Sequence, residues 1–170
     1  MDRLVLLKIK QTMSSQSNSE NNFFIADVLS IDSIIKASYE VVSGEKGAKR
    51  QWQRDKFLHH PKAVYSYTDR SGEKQEQVVM SIGEFQHETD EMVLETAFYE
   101  KEINREVRIF GNIAHVWSTY ETQLEKNGPI VRRGINSVQL FFENNRWYII
   151  SWIFDKELDS NRIPKTFDRN

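Results

Sequence analysis

The sequence predicts one α+β domain, in which helices pack on one face of an antiparallel sheet. Three observations lead to this fold class: β-rich segments dominate residues 98–155, helical periodicity dominates the N-terminal half, and 170 residues suit one domain with a substantial core. Within 98–155, Gly/Asn turn signals divide the chain into four strands, because Gly and Asn tolerate the positive φ of tight turns. Helices, a hairpin and then a long meander are typical of an α+β arrangement.

The first 22 residues are predicted to be a mobile N-terminal tail. Ser14–Asn22 is rich in Ser, Asn and Gln and shows no periodicity. The apolar run Leu4–Leu7 is too short for a signal-peptide core, and no segment approaches the ~20 apolar residues of a membrane span. We therefore expect no membrane partner.

Residues 23–97 are predicted to form three helices and one hairpin. Apolar residues recur at helical spacing in the first helix, and the third begins at a capping box of Ser81 and Glu84. The elements, in order, are a helix over 31–42 capped by Ser30 or Asp32, a helix over 51–58 that ends before Pro61, strands over 63–67 and 75–80, and a helix from 81 to about 93.

The four-stranded meander follows, and the chain then ends in a polar segment. The predicted turns are Gly111-Asn112, Asn127-Gly128 and Asn144-Asn145. The predicted strands are Lys101–Phe110, Ile113–Leu124, Arg132–Phe142 and Arg146–Asp155. The folded domain is thus expected over 23–158, with a polar C-terminal end over 159–170.

Two opposite faces of the meander follow from the alternation of side chains along each strand. A turn with an even number of residues pairs an even-numbered residue of one strand with an odd-numbered residue of the next. This places Ser118, Ser137 and Trp152 on one face and Trp117 and Leu140 on the other. The last two strands are apolar on both faces, unlike strands of a sheet with one solvated side. We expect the helices to cover one face and a second copy of the chain to cover the other.

Composition excludes several classes of function. The chain has 25 acidic and 23 basic residues, so no basic surface indicates nucleic acid. It has no cysteine, which excludes disulfides, thiol nucleophiles and thiolate metal sites and is compatible with a cytoplasmic location. The sequence has no Gly-rich phosphate loop and no metal-spaced set of His, Asp and Glu, so neither a metal nor a cofactor is expected.

Several strings of residues resemble the nuclear transport factor 2-like (SnoaL-like) superfamily, and within it an uncharacterised branch. The most specific are Phe110–His115, which reads Phe-Gly-Asn-Ile-Ala-His, and Arg133–Ser137, which reads Arg-Gly-Ile-Asn-Ser. The similarity also includes Tyr39, Val42–Gly44, Trp52, Asp55, Leu58–Ala63, Ser118–Glu121 and Arg146-Trp147. It implies a cone-shaped, curved antiparallel sheet wrapped around about three N-terminal helices, with a pocket and a homodimer.

The resemblance does not select an activity, because the superfamily includes isomerases, dehydratases, hydrolases, cyclases and non-catalytic association domains. Its steroid isomerases carry one aspartate where this chain has Tyr65–Tyr67 and another where it has Ser137. Both acids are absent here, which argues against that proton-shuttle mechanism. In those enzymes alternate residues of the final strand line the pocket, which assigns Ile150, Trp152 and Phe154 to it.

Polar residues on the helix-covered face are the candidate ligand contacts. Because a buried polar group needs a partner, such residues form either a satisfied hydrogen-bond network or a small-molecule site with apolar walls. The predicted pocket residues are Tyr39, Tyr67, Arg105, Ser118, Tyr120, Ser137, Gln139 and Trp152.

Asp55 is the one candidate for a catalytic residue. The resemblance implies an acid near this position that in several relatives serves as a base or anchors the helix, and the alternative is a helix-surface ion pair or cap. His59 and His60 are adjacent, so their side chains point apart and do not favour a shared metal. His87 lies in an acidic helix face typical of solvent exposure, and for His115 we expect an interface role.

The second sheet face predicts a homodimer. Monomeric proteins rarely expose apolar patches larger than a few hundred Å², and a two-fold axis would bring such a patch onto itself. The expected interface residues are His115, Trp117, Asn136, Val138, Leu140, Trp147 and Ile149.

Two functions therefore remain open from the sequence. The first is a homodimeric domain that binds a small, largely apolar ligand and acts without cofactor as a lyase, isomerase or hydrolase. The second is a non-catalytic dimerisation or partner-binding module whose cone is filled by its own core. Whether the space between Tyr39, Tyr67, Ser137 and Trp152 is open distinguishes the two.

Overall fold

A computed structural model describes residues 23–169 and confirms the predicted α+β fold. Three helices pack against one face of a curved six-stranded sheet. The predicted N-terminal tail, residues 1–22, lies outside the described residues, as does Asn170.

The helices begin where the sequence places their caps. The helical elements are α1 (Ile31–Val42), α2 (Trp52–Leu58), α3 (Ile82–Glu95) and two short 3-10 helices over Ile25–Val28 and Lys165–Phe167. Ser30 and Ser81 each accept a hydrogen bond from the backbone N–H three residues later, at 3.1 and 3.3 Å. Both form capping boxes, so two of the predicted helix starts are confirmed.

The sheet contains one parallel pair among antiparallel neighbours. The strands are β1 (His59–Asp69), β2 (Glu76–Ser81), β3 (Tyr99–Phe110), β4 (Ile113–Gln123), β5 (Ile130–Glu143) and β6 (Arg146–Lys156). Their order across the sheet is β2-β1-β6-β5-β4-β3, and only β1 and β6 run parallel. The predicted meander is β3 to β6, and α3 carries the chain from β2 to the opposite edge.

Two of the three predicted hairpin turns have the expected form. Gly111, Asn144 and Asn145 adopt φ values of 55°, 51° and 61°, the left-handed region that Gly and Asn tolerate. The connection between β4 and β5 is longer than the predicted two-residue turn, because β4 ends at Gln123 and β5 begins at Ile130.

A one-residue register shift at the start of β5 reverses the predicted faces of this strand. Gln123 pairs with Ile130 but Thr122 pairs with Arg132, so Val131 is an extra residue that forms a β-bulge. Beyond the bulge, the even-numbered residues from 132 to 142 share a face with the even-numbered residues of β4. This is the face that the helices cover.

Because of this shift, five of the predicted site residues lie on the opposite face of the sheet from the one predicted. Ser137 and Gln139 were assigned to the pocket face, and this assignment is wrong because both lie on the outer face of the sheet. The assignment of Asn136, Val138 and Leu140 to an outer dimer surface is wrong for the same reason. These three side chains lie beneath the helices and are 1%, 0% and 2% exposed.

A second bulge, at Ile150, reverses the predicted faces of the first half of β6. Gln139 pairs with Ser151 but Leu140 pairs with Ile149, so the strand changes face between these pairs. Ile149 and Trp147 therefore pack with the core instead of forming an outer surface. The two bulges cancel beyond Ser151, and Trp152 stays on the helix-covered face as predicted.

A third bulge, at Ile103, brings two acidic residues of β3 to the inner face. Glu102 pairs with Tyr120, whereas Asn104 pairs with Thr119. Glu100 and Glu102 consequently share the inner face with Tyr120.

The C-terminal residues 159–169 pack on the outer face of the sheet. The ring of Phe167 lies 6.1 Å from that of Trp117, and the Phe167 carbonyl accepts a hydrogen bond from Thr119 Oγ1 at 2.6 Å. Ile163 is 9% exposed in the same segment. The chain itself therefore covers part of the face that was expected to need a second subunit.

The helices within residues 23–169 do not have the properties of membrane spans. None of the helices there combines the length and apolar composition needed to cross a bilayer.

The β5 register predicts opposite outcomes for two adjacent substitutions. Leu140→Ala is expected to lower the free energy of unfolding by about 2–5 kcal/mol, because it leaves a cavity in the core. Gln139→Ala, on the outer face, is expected to change it by less than about 0.5 kcal/mol. Urea denaturation of the two variants and the parent measures both values. A larger loss at Gln139 than at Leu140 would contradict the register.

Candidate ligand cavity

A cavity of about 370 Å³ lies between the inner face of the sheet and helices α1 and α3. Its volume falls within the range of small-molecule pockets. Seven aromatic residues form much of its wall: Tyr39, Tyr65, Tyr67, Phe85, Phe98, Trp152 and Phe154. Its polar lining includes Tyr39, Glu100, Arg132 and Asn136. The combination is an apolar chamber with a small group of polar side chains.

Stacked rings give the chamber flat walls. The Tyr65 ring lies parallel to that of Phe85 with centroids 4.0 Å apart, and the Trp152 ring lies 6.0 Å from it. Tyr39 meets Trp152 edge-on at 6.0 Å. Such arrangements are favourable between aromatic rings and leave little freedom for the walls to move.

Glu100 places a carboxyl group in this apolar surrounding. Its side chain is 12% exposed, and Oε2 accepts a hydrogen bond from Thr122 Oγ1 at 2.9 Å. Burial raises the pKa of the Glu100 carboxyl, while the charge of Arg132 and the Thr122 hydrogen bond act in the opposite direction. Glu100 therefore holds a proton more readily than an exposed glutamate does.

Arg132 lies beside Glu100 and is only loosely held. Its hydrogen bonds to Glu100 and to Thr122 both measure 3.4 Å, and its side chain is 36% exposed. The guanidinium carbon lies 5.6 Å from the centroid of the Phe98 ring and 5.8 Å from that of Tyr120. A guanidinium has five N–H donors, so these two long contacts leave donors available to a ligand.

The Tyr39 hydroxyl joins helix α1 to the sheet at the polar side of the cavity. It lies 2.7 Å from Ser118 Oγ and accepts a hydrogen bond from Asn136 Nδ2 at 2.8 Å. Ser118 donates its own proton to Glu102, so Tyr39 must be the donor to Ser118. Burial raises the pKa of Tyr39 well above its ordinary value, and the charge of Glu100 adds to this. The hydroxyl therefore stays protonated.

Arg105 lies outside the cavity, contrary to the prediction. It donates to Glu102 through Nε at 2.9 Å and to Asp32 through Nη1 at 2.6 Å, and it lines a neighbouring cleft. Its charge thus neutralises Glu102 at the end of the Tyr39 network.

Asp55 is fully buried behind the aromatic wall and does not line the cavity. Its Oδ2 accepts from Gln86 Nε2 at 2.7 Å, and its Oδ1 lies 3.4 Å from His59 Nδ1. His59 Nδ1 also lies 2.8 Å from the Asp55 carbonyl; because both partners are acceptors, Nδ1 carries the proton. In the neutral ring Nε2 then accepts from the Tyr65 hydroxyl at 3.1 Å. Asp55 anchors the ring wall, and its position does not support a catalytic role.

The structure brings only part of the predicted pocket together. Tyr39, Tyr67 and Trp152 line the cavity. Ser118 lies behind Tyr39, with no exposed surface, and Tyr120 lines a smaller second cavity. The other three predicted residues lie in the neighbouring cleft or on the outer face.

Glu100, Arg132 and Asn136 are among the polar pocket residues that sequence reasoning missed; Ser38, Glu88 and Thr89 of the helices also line the cavity. Glu100 and Arg132 lie at the beginnings of β3 and β5, where strand boundaries are least certain from sequence. The available signal was the apolar alternation of Val138 and Leu140, which favours placing the even-numbered residues of β5 beneath the helices.

The histidines lie apart from the cavity. His115 Nε2 lies 2.9 Å from Ser137 Oγ on the outer face, and His87 pairs with Glu91 on an exposed face of α3. Within residues 23–169, no group of three or more His, Asp or Glu side chains is arranged to hold a metal ion.

Comparison with solved structures confirms the predicted fold. A cystatin-like protein of unknown function from Nostoc punctiforme has a TM-score of 0.59 and 10% identity, covering 77% of this chain and 91% of its own. A candidate dehydratase of the NTF2-like family from Streptomyces avermitilis has a TM-score of 0.56 and 18% identity, covering 78% and 97%. A candidate ketosteroid isomerase from Parabacteroides distasonis has a TM-score of 0.51 and 15% identity, covering 76% and 89%. The chain therefore has the cystatin-like, NTF2-like fold.

Sequence comparison adds nothing to this result. No protein-family model matches the sequence, and no curated protein matches it.

The buried carboxyl of Glu100 predicts a specific pH dependence of stability. Its pKa is raised on folding, so its favourable contribution is complete below the unfolded-state pKa and is lost as pH rises through the folded-state pKa. Glu100→Gln removes this dependence. The stability of the variant relative to the parent should therefore increase as pH rises from about 4 to about 8. Urea denaturation across this range measures the difference, and a difference that is constant with pH would contradict it.

Proposed function

We propose that this chain is a cytosolic domain that binds a small, largely apolar carbonyl compound in the cavity and transfers a proton on it without a cofactor. The observation that carries the proposal is Glu100, a carboxyl group of raised pKa within an aromatic chamber. A base in such surroundings is strengthened relative to the same group in water.

The cavity volume favours ligand binding over the alternative of a filled cone. Tyr39, Tyr67 and Trp152 surround about 370 Å³ that their own side chains do not occupy. Met92 and Arg132 border the same space and are themselves partly exposed, so the space is open to solvent and a ligand can enter it. An accessible space of this volume with a mainly aromatic lining is typical of a small-molecule site.

The proposed chemistry needs one proton and no other reactant. The Glu100 carboxylate removes a proton from the carbon next to the carbonyl; the C–H electron pair forms a carbon–carbon double bond, and the carbonyl π pair moves to oxygen. The protonated Glu100 then returns the proton to the same carbon or to another one. In a ketone with a further C=C bond, one carbon beyond the one that loses the proton, the intermediate is a dienolate, and return of the proton to its far carbon is an isomerisation.

Hydrogen exchange on 2-tetralone, a bicyclic ketone, tests this chemistry directly. Incubation with the protein in deuterated water is expected to replace the hydrogens next to the carbonyl faster than buffer alone does. Glu100→Gln is expected to lower the catalysed rate by about 10²- to 10⁴-fold, because the amide cannot accept the proton. Mass spectrometry of the recovered ketone measures the incorporation.

Glu91→Gln is the matched control, since Glu91 is exposed on α3 and does not line the cavity. It should exchange at the parental rate. If 2-tetralone binds but exchanges equally fast with the parent and with Glu100→Gln, then proton transfer by Glu100 is wrong although the cavity binds a ligand.

The homodimer through the outer face remains a proposal, and it now depends on a smaller apolar surface. Ile153, Val64 and Val79 are 44%, 39% and 65% exposed on this face, beside the half-buried Trp117. Three exposed aliphatic side chains on neighbouring strands β6, β1 and β2 form an area that a second copy would cover about a two-fold axis.

Ile153→Glu is expected to convert the dimer to monomers, because it would bury an unpaired carboxylate at the interface. Leu94→Glu is the control, since Leu94 is 62% exposed on α3, away from the sheet face. Light scattering of the parent and both variants gives their masses. A parent that is monomeric at high concentration would contradict the proposal.

A further inference from the structure

A second, smaller cavity adjoins the aromatic chamber. It has a volume of about 260 Å³ and shares Tyr67, Arg132 and Phe154 with the first cavity. The rings of Tyr67 and Phe154 stack with centroids 5.4 Å apart, so an aromatic pair borders both spaces. The Arg132 side chain also lines both cavities.

The lining of the second cavity differs in kind from that of the first, because it carries a net positive charge. Three cationic residues, Arg70, Arg132 and Lys156, face two carboxylates, Asp69 and Asp155. Arg70 donates to both carboxylate oxygens of Asp155, at 2.6 and 2.7 Å, and these charges neutralise each other. Asp69 accepts two hydrogen bonds from its own turn. Among the residues that line this cavity, Arg132 and Lys156 then carry two positive charges against the single charge of Asp69, and Arg132 also contacts Glu100 of the first cavity at 3.4 Å.

Two buried donors in residues that line this cavity have no hydrogen-bond partner within residues 23–169. They are the hydroxyl of Tyr120 and the Nε–H of Arg70. Tyr120 is 1% exposed, and its hydroxyl lies so close to Gly134 that a Cβ there would approach it to 2.5 Å. Burial raises the pKa of Tyr120, so the group remains a donor. An unsatisfied buried donor is unfavourable unless something supplies an acceptor.

Taken together, these features lead us to propose that the second cavity binds the carboxylate of an amphipathic substrate whose apolar part occupies the aromatic chamber. Arg132 is the principal contact, because a planar guanidinium matches the two oxygens of a carboxylate. Lys156 adds charge, and Tyr120 and Arg70 gain an acceptor. This assignment rests on the proposed function of the chamber and specifies its substrate class as a keto acid or a related acid with an apolar body.

Two matched probes separate the anion site from the chamber: 2-naphthylacetic acid and its neutral amide. They share the apolar ring system and differ in the charge of the head group. The parent is expected to bind the acid more tightly than the amide by about tenfold or more, the effect of a charge-assisted hydrogen bond. Isothermal titration calorimetry of both probes measures the preference.

Arg132→Gln is expected to abolish the preference for the acid while leaving the affinity for the amide unchanged. Lys156→Gln, an exposed position, should reduce the preference by a smaller factor. Lys56→Gln removes an exposed lysine from α2 that lines neither cavity, and it should behave as the parent does.

The outcomes distinguish the anion site from the chamber. Equal affinity of the parent for acid and amide would overturn the anion site and leave the chamber in place. A full preference for the acid in folded Arg132→Gln would overturn the role of Arg132 and with it this assignment. If the parent bound neither probe, the chamber itself, and therefore both proposals, would be overturned.

Discussion

The pairing register of β5 is the constraint on which the rest of the structure depends. The extra residue at Val131 turns Val138 and Leu140 toward the helices and Ser137 and Gln139 toward the outer surface. Because side chains alternate, a slip of one residue would exchange all of these positions together and place polar groups beneath the helices. The core, the cavity and the composition of the outer face therefore share one cause.

The bulge on β3 has a comparable effect on the chemistry of the interior. It places Glu100 and Glu102 on the inner face, where buried carboxylates need partners. Glu102 is fully engaged by Arg105 and Ser118, whereas Glu100 has one short hydrogen bond and a distant guanidinium. Two acids two residues apart thus have different surroundings: one completes a structural network, and the other is a carboxyl group of raised pKa at the wall of the cavity.

Local signals were sufficient for the elements of this fold but not for the orientation of its side chains. Ser30, Ser81 and the turn at Gly111 act through neighbouring residues, so the sequence predicts them correctly. A bulge depends on contacts between strands, and no local sequence pattern near Val131 or Ile150 predicts one. Counting residues through the turns therefore misplaced β5, although its apolar alternation already favoured the observed face. The resemblance predicted the fold correctly for the same reason. A bulge leaves the order and pairing of the strands unchanged, but it changes which side chains face a site.

The parallel pairing of β1 with β6 has a consequence for the order in which the molecule assembles. Each hairpin of the meander closes a short loop, whereas pairing residue 65 with residue 152 closes a loop of about half the chain and is entropically costly until other contacts exist. During synthesis the helices and the β1–β2 hairpin leave the ribosome long before β6 is made. The aromatic chamber, whose wall needs Tyr65 beside Trp152, is therefore expected to form late. A nascent chain that stops before residue 146 lacks the strand that completes this wall.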